Sequence, residues 1–352
     1  MNAGRYNKQL KLKGFGLPAQ NLLQNSRVLI IGAGGLGTPC AQYLNGAGVG
    51  TIGIIDEDII NLSNLPRQTL FNEVEVGLSK VDVLIKRLRA QNPATNFISY
   101  KEFLIPANAL SIIQKYDLVI DASDNFGTRY LVNDSCIILD KPFIYGAVHE
   151  FEGQVSVLNY KGGPTYRCLF KETEGLDTSL NCDENGILGI LPALIGTYQA
   201  LEAIKVITGI GNVLSGQLLI IDTLSQSHFK IAVLPDAANK NITSLKEFYA
   251  TPVCSTSLQI IDGSTLKEWL KNGKKIALID VRNTDEFAAG TLPGAINISL
   301  TELSKRKDLI DFDLPVVTIC ATGVRSREAA LILRQVNKDI EVFSLNGGLS
   351  SL

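Results

Sequence analysis

The strongest constraint on the fold is a glycine-rich turn between an apolar run and a helical pattern. Arg27–Ile31 (RVLII) predicts a buried parallel strand, and residues 32–37 (GAGGLG) follow it at once. A helix is predicted from about Gly35 to Ala47. Glycines let a backbone approach phosphate groups, and a helix N-terminus offers free N–H groups and the positive end of a dipole. The turn therefore predicts a nucleotide site.

Apolar runs and helical patterns alternate along most of the chain, which predicts an α/β fold with a Rossmann-like, mostly parallel sheet. Further strands are predicted at 51–55, 117–122, 143–148, 155–158 and 217–222, and helices at 78–89 and 190–207. A polar, proline-flanked stretch reads as a linker, and the alternation then restarts. The predicted division is a domain at 1–240, a linker at 241–257 and a small α/β domain at 258–352.

Composition excludes several classes of protein. Hydrophobic residues make up 45 % of the chain and charged residues 19 %, as expected for packed globular domains. A formal charge of −2 gives no electrostatic footprint for a nucleic acid. The polar N-terminus lacks the apolar core of a signal peptide, and no apolar run reaches membrane-spanning length. We expect a soluble, cytoplasmic protein with no nucleic-acid or membrane partner.

An acidic residue and a basic set accompany the turn. Asp56 ends the second predicted strand, where a carboxylate accepts hydrogen bonds from ribose hydroxyls. This much fits a nicotinamide dehydrogenase equally well. Arg67 in the segment 63–68 (SNLPRQ), Lys80, and Asp124 in 121–125 (DASDN) separate the two classes.

Nucleotidyl transfer spreads negative charge over phosphoryl oxygens, which cations and a carboxylate-held Mg²⁺ stabilise. Each basic residue alone would be a surface charge, and Asp124 alone a strand-end cap. Together behind one glycine turn they favour a catalytic site, with Arg67 and Asp124 as the residues assigned to catalysis.

The order of these motifs resembles the adenylating enzymes MoeB and ThiF, the prokaryotic relatives of ubiquitin-activating enzymes. The resemblance spans about residues 5–235 and includes 5–9 (RYNKQ). It implies ATP and Mg²⁺ as cofactors. The implied binding residues are Gly35 and Asp56 for adenosine, Ser63, Asn64, Arg67, Lys80 and Asn125 around the phosphates, and Asp124 for Mg²⁺.

The same resemblance implies a homodimer in which the segment 5–9 reaches into the partner's ATP site. Lys8 stands where the second arginine of that segment usually lies. Lysine keeps the charge but not the bidentate geometry of arginine. Lys8 is therefore included among the nucleotide-binding residues as a point charge.

Six cysteines occur, and none forms a CxxC pair. Many family members bind structural zinc through two such pairs, but here only Cys168 stands at a corresponding position. We expect a buried thiol and no zinc. Cys182, in the polar segment 180–186, matches the family's crossover loop. The match implies attack on the acyl-adenylate or a part in an acyl-disulfide step; the alternative is a bystander thiol.

A second chemical motif lies at 320–326 (CATGVRS), after the predicted strand 316–319. A cysteine that opens such a loop faces backbone N–H groups, which stabilise a thiolate or a persulfide. Arg325 would attract an anionic sulfur donor, so Cys320 and Arg325 are predicted to form a persulfide loop. A lone Cys320 would read as a buried strand-end thiol.

The motifs at 280–282, 286–287, 290–298 and 347–348 lie around this loop. With the loop they resemble a rhodanese domain over about 258–352. Asp280 and Arg282 are predicted to form a structural pair.

The two resemblances imply one function. The first domain would adenylate the C-terminal carboxylate of a ubiquitin-like sulfur carrier ending in Gly-Gly, of the MoaD or ThiS kind. The second would supply sulfur from thiosulfate or a cysteine desulfurase, giving a thiocarboxylate. Molybdopterin, thiazole and tRNA thiolation stay open as pathways. The alternatives are a Rossmann dehydrogenase and a non-catalytic scaffold that binds the carrier.

Overall fold

The computed structural model describes residues 4–170, 186–247, 249, 259–300, 302–303, 306–336 and 340–351. The chain divides into two compact units, Met1–Pro252 and Val253–Leu352. The exact limits of the predicted linker stay a prediction, since most of residues 248–258 lie outside the described part. Each unit is considered by itself below.

The first unit is built on one eight-stranded sheet with the order β3-β2-β1-β4-β5-β6-β7-β8. The first five strands in that order are parallel, and β6, β7 and β8 extend the sheet with antiparallel pairing. Their bounds are β1 Arg27–Ile31, β2 Thr51–Ile55, β3 Asn96–Tyr100, β4 Leu118–Asp121, β5 Phe143–His149, β6 Glu152–Leu158, β7 Gln217–Asp222 and β8 Ser227–Ala232.

Helices cover both faces of this sheet, as the burial of β1 requires. Val28 and Ile30 enter one apolar core, whereas Leu29 and Ile31 enter the core on the other face. This alternation is the period of a strand buried on both sides. The helices are α1 Asn7–Leu10, α2 Gly16–Asn25, α3 Gly37–Ala47, α4 Lys80–Gln91, α5 Pro106–Ile113, α6 Phe126–Ile138, α7 Tyr166–Leu169 and α8 Ile190–Thr208.

Helix α8 is apolar enough, over its 19 residues, to cross a membrane by length and composition alone. The prediction that no segment reaches that length is therefore wrong for this helix. One side of α8 packs on α3 and on β5 and β6, and Leu191, Ile195 and Ala203 on that side are buried. Helix α8 therefore packs in the protein core, and core helices can be as long and as apolar as membrane-spanning helices.

The chain after β8 packs back on the first unit through Tyr249. Tyr249 is buried and donates a hydrogen bond to Asp134 Oδ2 at 2.8 Å. Arg167 reaches both carboxylate oxygens of Asp134, at 2.9 and 2.8 Å. The chain therefore stays attached to α6 and α7 as far as Tyr249.

The second unit has a five-stranded, fully parallel sheet with the order β11-β10-β12-β13-β9. Its strands are β9 Gln259–Ile261, β10 Ala277–Asp280, β11 Ile296–Asn297, β12 Val316–Ile319 and β13 Val342–Leu345, and its helices are α9 Gly263–Lys271, α10 Thr284–Ala288 and α11 Val324–Val336. A mostly parallel first sheet and a small, fully parallel second sheet confirm the predicted fold class.

The predicted structural pair is also confirmed. The Arg282 guanidinium bonds both oxygens of the buried Asp280, at 3.0, 3.1 and 2.7 Å, and Thr291 adds a hydrogen bond of 2.6 Å. Burial raises the pKa of the Asp280 carboxyl, but the hydrogen bonds from Arg282 and Thr291 outweigh it, so the net pKa is lowered.

Candidate active sites

The glycine turn between β1 and α3 packs directly against the end of β4. Gly32 has φ +98°, and a Cβ there would lie 2.7 Å from the Ala122 carbonyl oxygen. A Cβ on Gly37 would lie 1.9 Å from the Gly32 carbonyl oxygen. Side chains are therefore excluded at both positions. Helix α3 starts at Gly37 with no side-chain cap, which leaves its N-terminus open to an anion.

Asp56 ties the end of β2 to this turn. Its Oδ2 accepts a hydrogen bond from the Ala33 N–H at 2.6 Å, and its Oδ1 accepts one from the Asp58 N–H at 2.8 Å. Burial raises the pKa of the Asp56 carboxyl, against the opposing charge of Lys80 and these two backbone bonds. A carboxylate has about four lone-pair sites, so acceptor capacity remains for a ribose hydroxyl.

The two predicted cations lie on segments that contact the turn or Asp56. A Cβ on Gly35 would lie 3.1 Å from the Arg67 carbonyl oxygen, and the Arg67 Nη1 donates to the Ser63 carbonyl at 3.0 Å. Lys80 is the first residue of α4, is buried, and forms a 2.7 Å ion pair with Asp58. Asp58 was missed in the sequence, although its spacing of two residues from Asp56 was the available signal.

Asp124 is exposed just beyond the end of β4, beside the turn. Two predicted binding residues serve the backbone instead. Asn125 caps α6 by accepting from the Thr128 N–H at 2.8 Å, and the buried Asn64 accepts from the Asn61 N–H at 3.4 Å. Both side chains shape the site's loops in this structure, and their predicted contacts with phosphate stay predictions.

Lys8 is not brought to the site of its own chain. Lys8 is exposed on α1. The nearby Tyr6 hydroxyl accepts a hydrogen bond from Asn92 at the C-terminal end of α4, and Gln9 donates one to the Ala47 carbonyl at the C-terminal end of α3. The turn lies at the other end of α3, and 11 residues of helix span about 16 Å. Lys8 therefore lies near the amino ends of the parallel strands, whereas the glycine turn and Asp124 lie at their carboxyl ends.

The chemistry of this residue set fits a nucleoside triphosphate with a divalent cation. The turn offers an open helix N-terminus, and the segments that contact the turn or Asp56 carry two cations, Arg67 and Lys80. The exposed carboxylate of Asp124 follows the strand on which the turn packs. Among the described residues, the buried polar atoms there that have no hydrogen-bond partner include Gln68 Oε1 and Asp121 Oδ2. Both residues lie in motifs quoted from the sequence, 63–68 and 121–125, but neither was assigned a role, because a motif does not show burial. Cys182 lies outside the described residues, so its predicted role is not tested.

Cys168 departs from the expectation of a buried thiol, because its side chain is half-buried. The Sγ accepts hydrogen bonds from the backbone N–H groups of Thr165 at 3.4 Å and Asp236 at 3.3 Å. Asn239 Nδ2 donates to it at 3.5 Å, and the Thr165 hydroxyl lies at 3.3 Å. Burial raises the thiol pKa, but these bonds outweigh it, so the pKa of Cys168 is lowered.

Thr165 with Cys168, and Asp236 with Asn239, are two pairs with the spacing of a CxxC motif, and they meet at one sulfur. A zinc ion would need lone pairs from all four positions. Here three N–H groups point at the sulfur, so donor hydrogens occupy the place of a cation. Within the described residues, no three His, Cys, Asp or Glu side chains lie together as a metal site. The donor set does not fit zinc.

We expect elemental analysis of the purified protein to find well under one zinc per chain, and a chelator to leave the melting temperature unchanged. Cys168→Ala should lower the free energy of unfolding by about 1 kcal/mol, because it removes the acceptor shared by the buried Thr165, the half-buried Asn239 and the exposed Asp236. Cys168→Ser is the matched control and should lose less. One zinc per chain would contradict the hydrogen-bonded arrangement.

The second candidate site is the loop after β12. Cys320 is buried, and its Sγ accepts a hydrogen bond from the Gly323 N–H at 3.1 Å. Gly323 has φ +93°, and a Cβ there would lie 2.8 Å from the Gly347 nitrogen. Arg325, predicted to attract the donor anion, makes a bidentate ion pair with Glu286 at 2.6 and 2.7 Å. This pair lowers the pKa of Glu286 to about 2.

Comparisons with known proteins identify the families of both units. Residues 6–244 match the model of the ThiF family, and residues 262–352 match that of the rhodanese-like domain. The probable adenylyltransferase/sulfurtransferase MoeZ of Mycobacterium tuberculosis is 38 % identical over 98 % of this chain and 91 % of its own. The probable molybdopterin-synthase adenylyltransferase of Porphyra purpurea is 41 % identical over 99 % and 92 %.

A third relative, adenylyltransferase and sulfurtransferase MOCS3 of Drosophila sechellia, is 39 % identical over 98 % of this chain and 82 % of its own. Among solved structures, E. coli MccB with MccA-N7isoASN superposes with a TM-score of 0.61 at 20 % identity, covering 69 % of this chain and 75 % of that one. At that identity the likeness supports the fold alone.

Proposed function

The chain belongs to the ThiF family, and from that premise we propose that it adenylates the C-terminal carboxylate of a ubiquitin-like sulfur carrier and supplies the sulfur that converts it to a thiocarboxylate. One observation carries the proposal. Asp56 bonds the glycine turn, the backbone of Arg67 contacts it, and Asp124 follows the strand on which it packs, in a chain that also holds a rhodanese-like Cys320 loop. A Rossmann dehydrogenase would not need Arg67 and Lys80 together or the Cys320 loop, so we set that alternative aside. The non-catalytic scaffold is set aside because the relatives are named as adenylyltransferases and sulfurtransferases.

The first reaction needs no general base. A C-terminal carboxylate has a pKa of about 3.5 and is ionised at neutral pH. Its oxygen attacks the α-phosphorus of ATP, and pyrophosphate leaves with the electron pair of the broken bond. Asp56 holds the ribose, Arg67 and Lys80 neutralise phosphate oxygens, and Asp124 would hold Mg²⁺. When bound, Mg²⁺ would withdraw charge from the leaving pyrophosphate.

Lys80 must exchange partners for this role. Its ammonium group is paired with Asp58, whose side chain is half-exposed, while that of Lys80 is only 6 % exposed. A triphosphate carries more negative charge than one carboxylate, so the exchange is favourable. Asp58 thus holds a buried cation in place until the nucleotide arrives.

The second reaction uses the Cys320 thiolate. It attacks the outer sulfur of thiosulfate, forming a Cys320 persulfide and releasing sulfite. The persulfide then attacks the acyl-adenylate, and AMP leaves. A thiol such as Cys182 attacks the inner sulfur of the resulting acyl disulfide, which frees the thiocarboxylate and joins the two cysteines in a disulfide. A cellular thiol must reduce that disulfide before the next cycle.

Two features support a homodimer. Lys8 lies about a helix length from its own site, so a phosphate contact needs a second chain. Helices α2, α3 and α8 pack together and expose large apolar side chains, among them Leu17 at 54 %, Tyr43 at 59 % and Ile190 at 65 %. Burying such a patch would be favourable. The proposed location is the cytoplasm, and the relative from Porphyra purpurea makes molybdopterin the first pathway to test.

Mass spectrometry of candidate carriers tests the whole proposal. After incubation with this protein, Mg-ATP and thiosulfate, a MoaD-like or ThiS-like carrier should gain the mass difference between one sulfur and one oxygen. A carrier without its terminal glycine is the matched control. If every carrier ending in Gly-Gly keeps its mass while ATP is consumed, the proposal that this protein forms a thiocarboxylate is wrong.

The role of Cys182 is separable in the same assay. Cys182→Ala should keep carrier-dependent ATP–pyrophosphate exchange, because adenylation precedes its step. Thiocarboxylate yield should fall at least tenfold in the absence of added reductant. Cys136→Ala, which removes a fully buried thiol from α6, is the control. Full yield in the Cys182 variant would make that thiol a bystander.

A further inference from the structure

Three buried hydroxyl groups lie behind the sulfur of Cys320. The side chains of Thr318, Ser326 and Ser344 are all 0 % exposed. Ser344 donates to Ser326 Oγ at 3.0 Å, and Ser326 donates to the Gly323 carbonyl at 3.0 Å. The Cys320 thiol lies 3.6 Å from the same Ser326 Oγ. Apolar packing would cost less than burying three hydroxyls, so this arrangement points to a role at the sulfur.

Resting on the sulfur-transfer half of the proposed function, we propose that Ser326 is a positioning residue for the sulfur of Cys320. Its hydroxyl accepts the thiol's hydrogen bond and turns to donate one when Cys320 is a thiolate. A serine hydroxyl has one donor and two acceptor sites. Ser344 keeps one acceptor site filled in both states. Thr318 donates to the Ser326 carbonyl at 2.7 Å and fixes the backbone, so the hydroxyl proton alone has to move.

Charge returns to Sγ in each cycle, which is when this donor matters. The thiolate loses its charge as it bonds the outer sulfur of thiosulfate and sulfite leaves. Attack of Cys182 on Sγ sends the electron pair of the acyl disulfide to the thiocarboxylate sulfur, and Sγ takes up a pair when a cellular thiol cleaves the Cys182–Cys320 disulfide. The Gly323 N–H and the Ser326 hydroxyl then face Sγ from two sides. Hydrogen bonds to an ionised acceptor are roughly twice as strong as neutral ones.

The charged groups around the sulfur are already paired. Arg325 is held by Glu286, Arg282 is held by Asp280, and Arg327 on α11 bonds Asn346 at 2.7 Å. None of these pairs includes Ser326 or Ser344. Removing a hydroxyl therefore changes the hydrogen bonding of the sulfur while the surrounding charges stay as they are.

The test is Ser326→Ala in the full chain. Thiosulfate sulfurtransferase kcat should fall about tenfold, with KM for thiosulfate unchanged within twofold, because Ser326 is buried behind the sulfur. The pH at which Cys320 becomes half-reactive towards iodoacetamide, followed on its own peptide by mass spectrometry, should rise by about one unit, the equivalent of tenfold. Ser326→Thr keeps a hydroxyl and should restore both values.

Ser350→Ala is the matched control, since Ser350 bonds the Ala321 carbonyl at 2.7 Å in the same loop without reaching the sulfur. If Ser326→Ala does not fold, Ser344→Ala carries the test with a smaller shift in the same direction. Unchanged alkylation pH and unchanged kcat in the folded variant overturn the role of Ser326. Loss of sulfurtransferase activity in the unmodified protein would instead overturn the proposed function.

Discussion

Replacing Asp124 by alanine is expected to lower carrier-dependent ATP–pyrophosphate exchange by at least a hundredfold. The carboxylate lies at the end of β4, beside the turn whose Gly32 touches the Ala122 carbonyl. At that place it can hold the cation that neutralises the β- and γ-phosphates, and such charge neutralisation contributes several kcal/mol to phosphoryl transfer. The exchange assay measures adenylation alone, so sulfur chemistry does not enter the result.

Asp117→Ala is the matched control. Asp117 is exposed just before β4, at the opposite end of the strand, and its carboxylate bonds the Arg27 N–H at 2.8 Å. Its removal should change the melting temperature slightly and the exchange rate by less than twofold. If the Asp124 variant exchanges at nearly the normal rate over a range of Mg²⁺ concentrations, that carboxylate does not hold the metal.

Replacing Cys320 by alanine should abolish thiosulfate sulfurtransferase activity and leave the exchange reaction intact. The Cys320 sulfur is the atom that accepts sulfane sulfur, and the methyl group of alanine is not a nucleophile. Thiocarboxylate formation should stop with thiosulfate as donor. It should return in part with free sulfide, which attacks the acyl-adenylate directly and bypasses the persulfide.

A second thiol gives the control for Cys320. Burial raises the pKa of Cys136 well above its ordinary value, so this thiol is inert near neutral pH. Cys136→Ala should keep both activities. Sulfur transfer from thiosulfate at the normal rate in Cys320→Ala would show that another group carries the sulfur.

Much of the central sheet was predictable because its strands are short, apolar runs. Strands β1 and β2 were predicted with the bounds that the structure shows. Strand β3 was missed because only Phe97 of its five residues is buried, so the apolar signal is weak. Strand β8 was missed for the same reason, since none of its six residues is buried.

The candidate sites were predictable where one motif carries the geometry. The glycine turn fixes its own backbone, and Asp56 follows from the end of a strand. Pairings across the chain were not predictable. Arg325 pairs with Glu286, which is 39 residues away in the sequence, and Lys80 pairs with Asp58, which is 22 residues away. Lys80 was predicted to bind phosphate and Arg325 an anionic sulfur donor, and neither carboxylate partner was foreseen, because periodicity does not show which side chains meet.

The half-buried Cys168 changes what the first unit depends on in the cell. A junction held by zinc fails when the metal is scarce, whereas one held by hydrogen bonds to a sulfur does not depend on the metal. Its weakness is oxidation, because a lowered pKa and a partly open surface favour conversion to a sulfenic acid. An added oxygen on that sulfur would displace the Asp236 and Asn239 donors. We therefore expect this junction to be insensitive to zinc supply and sensitive to oxidation.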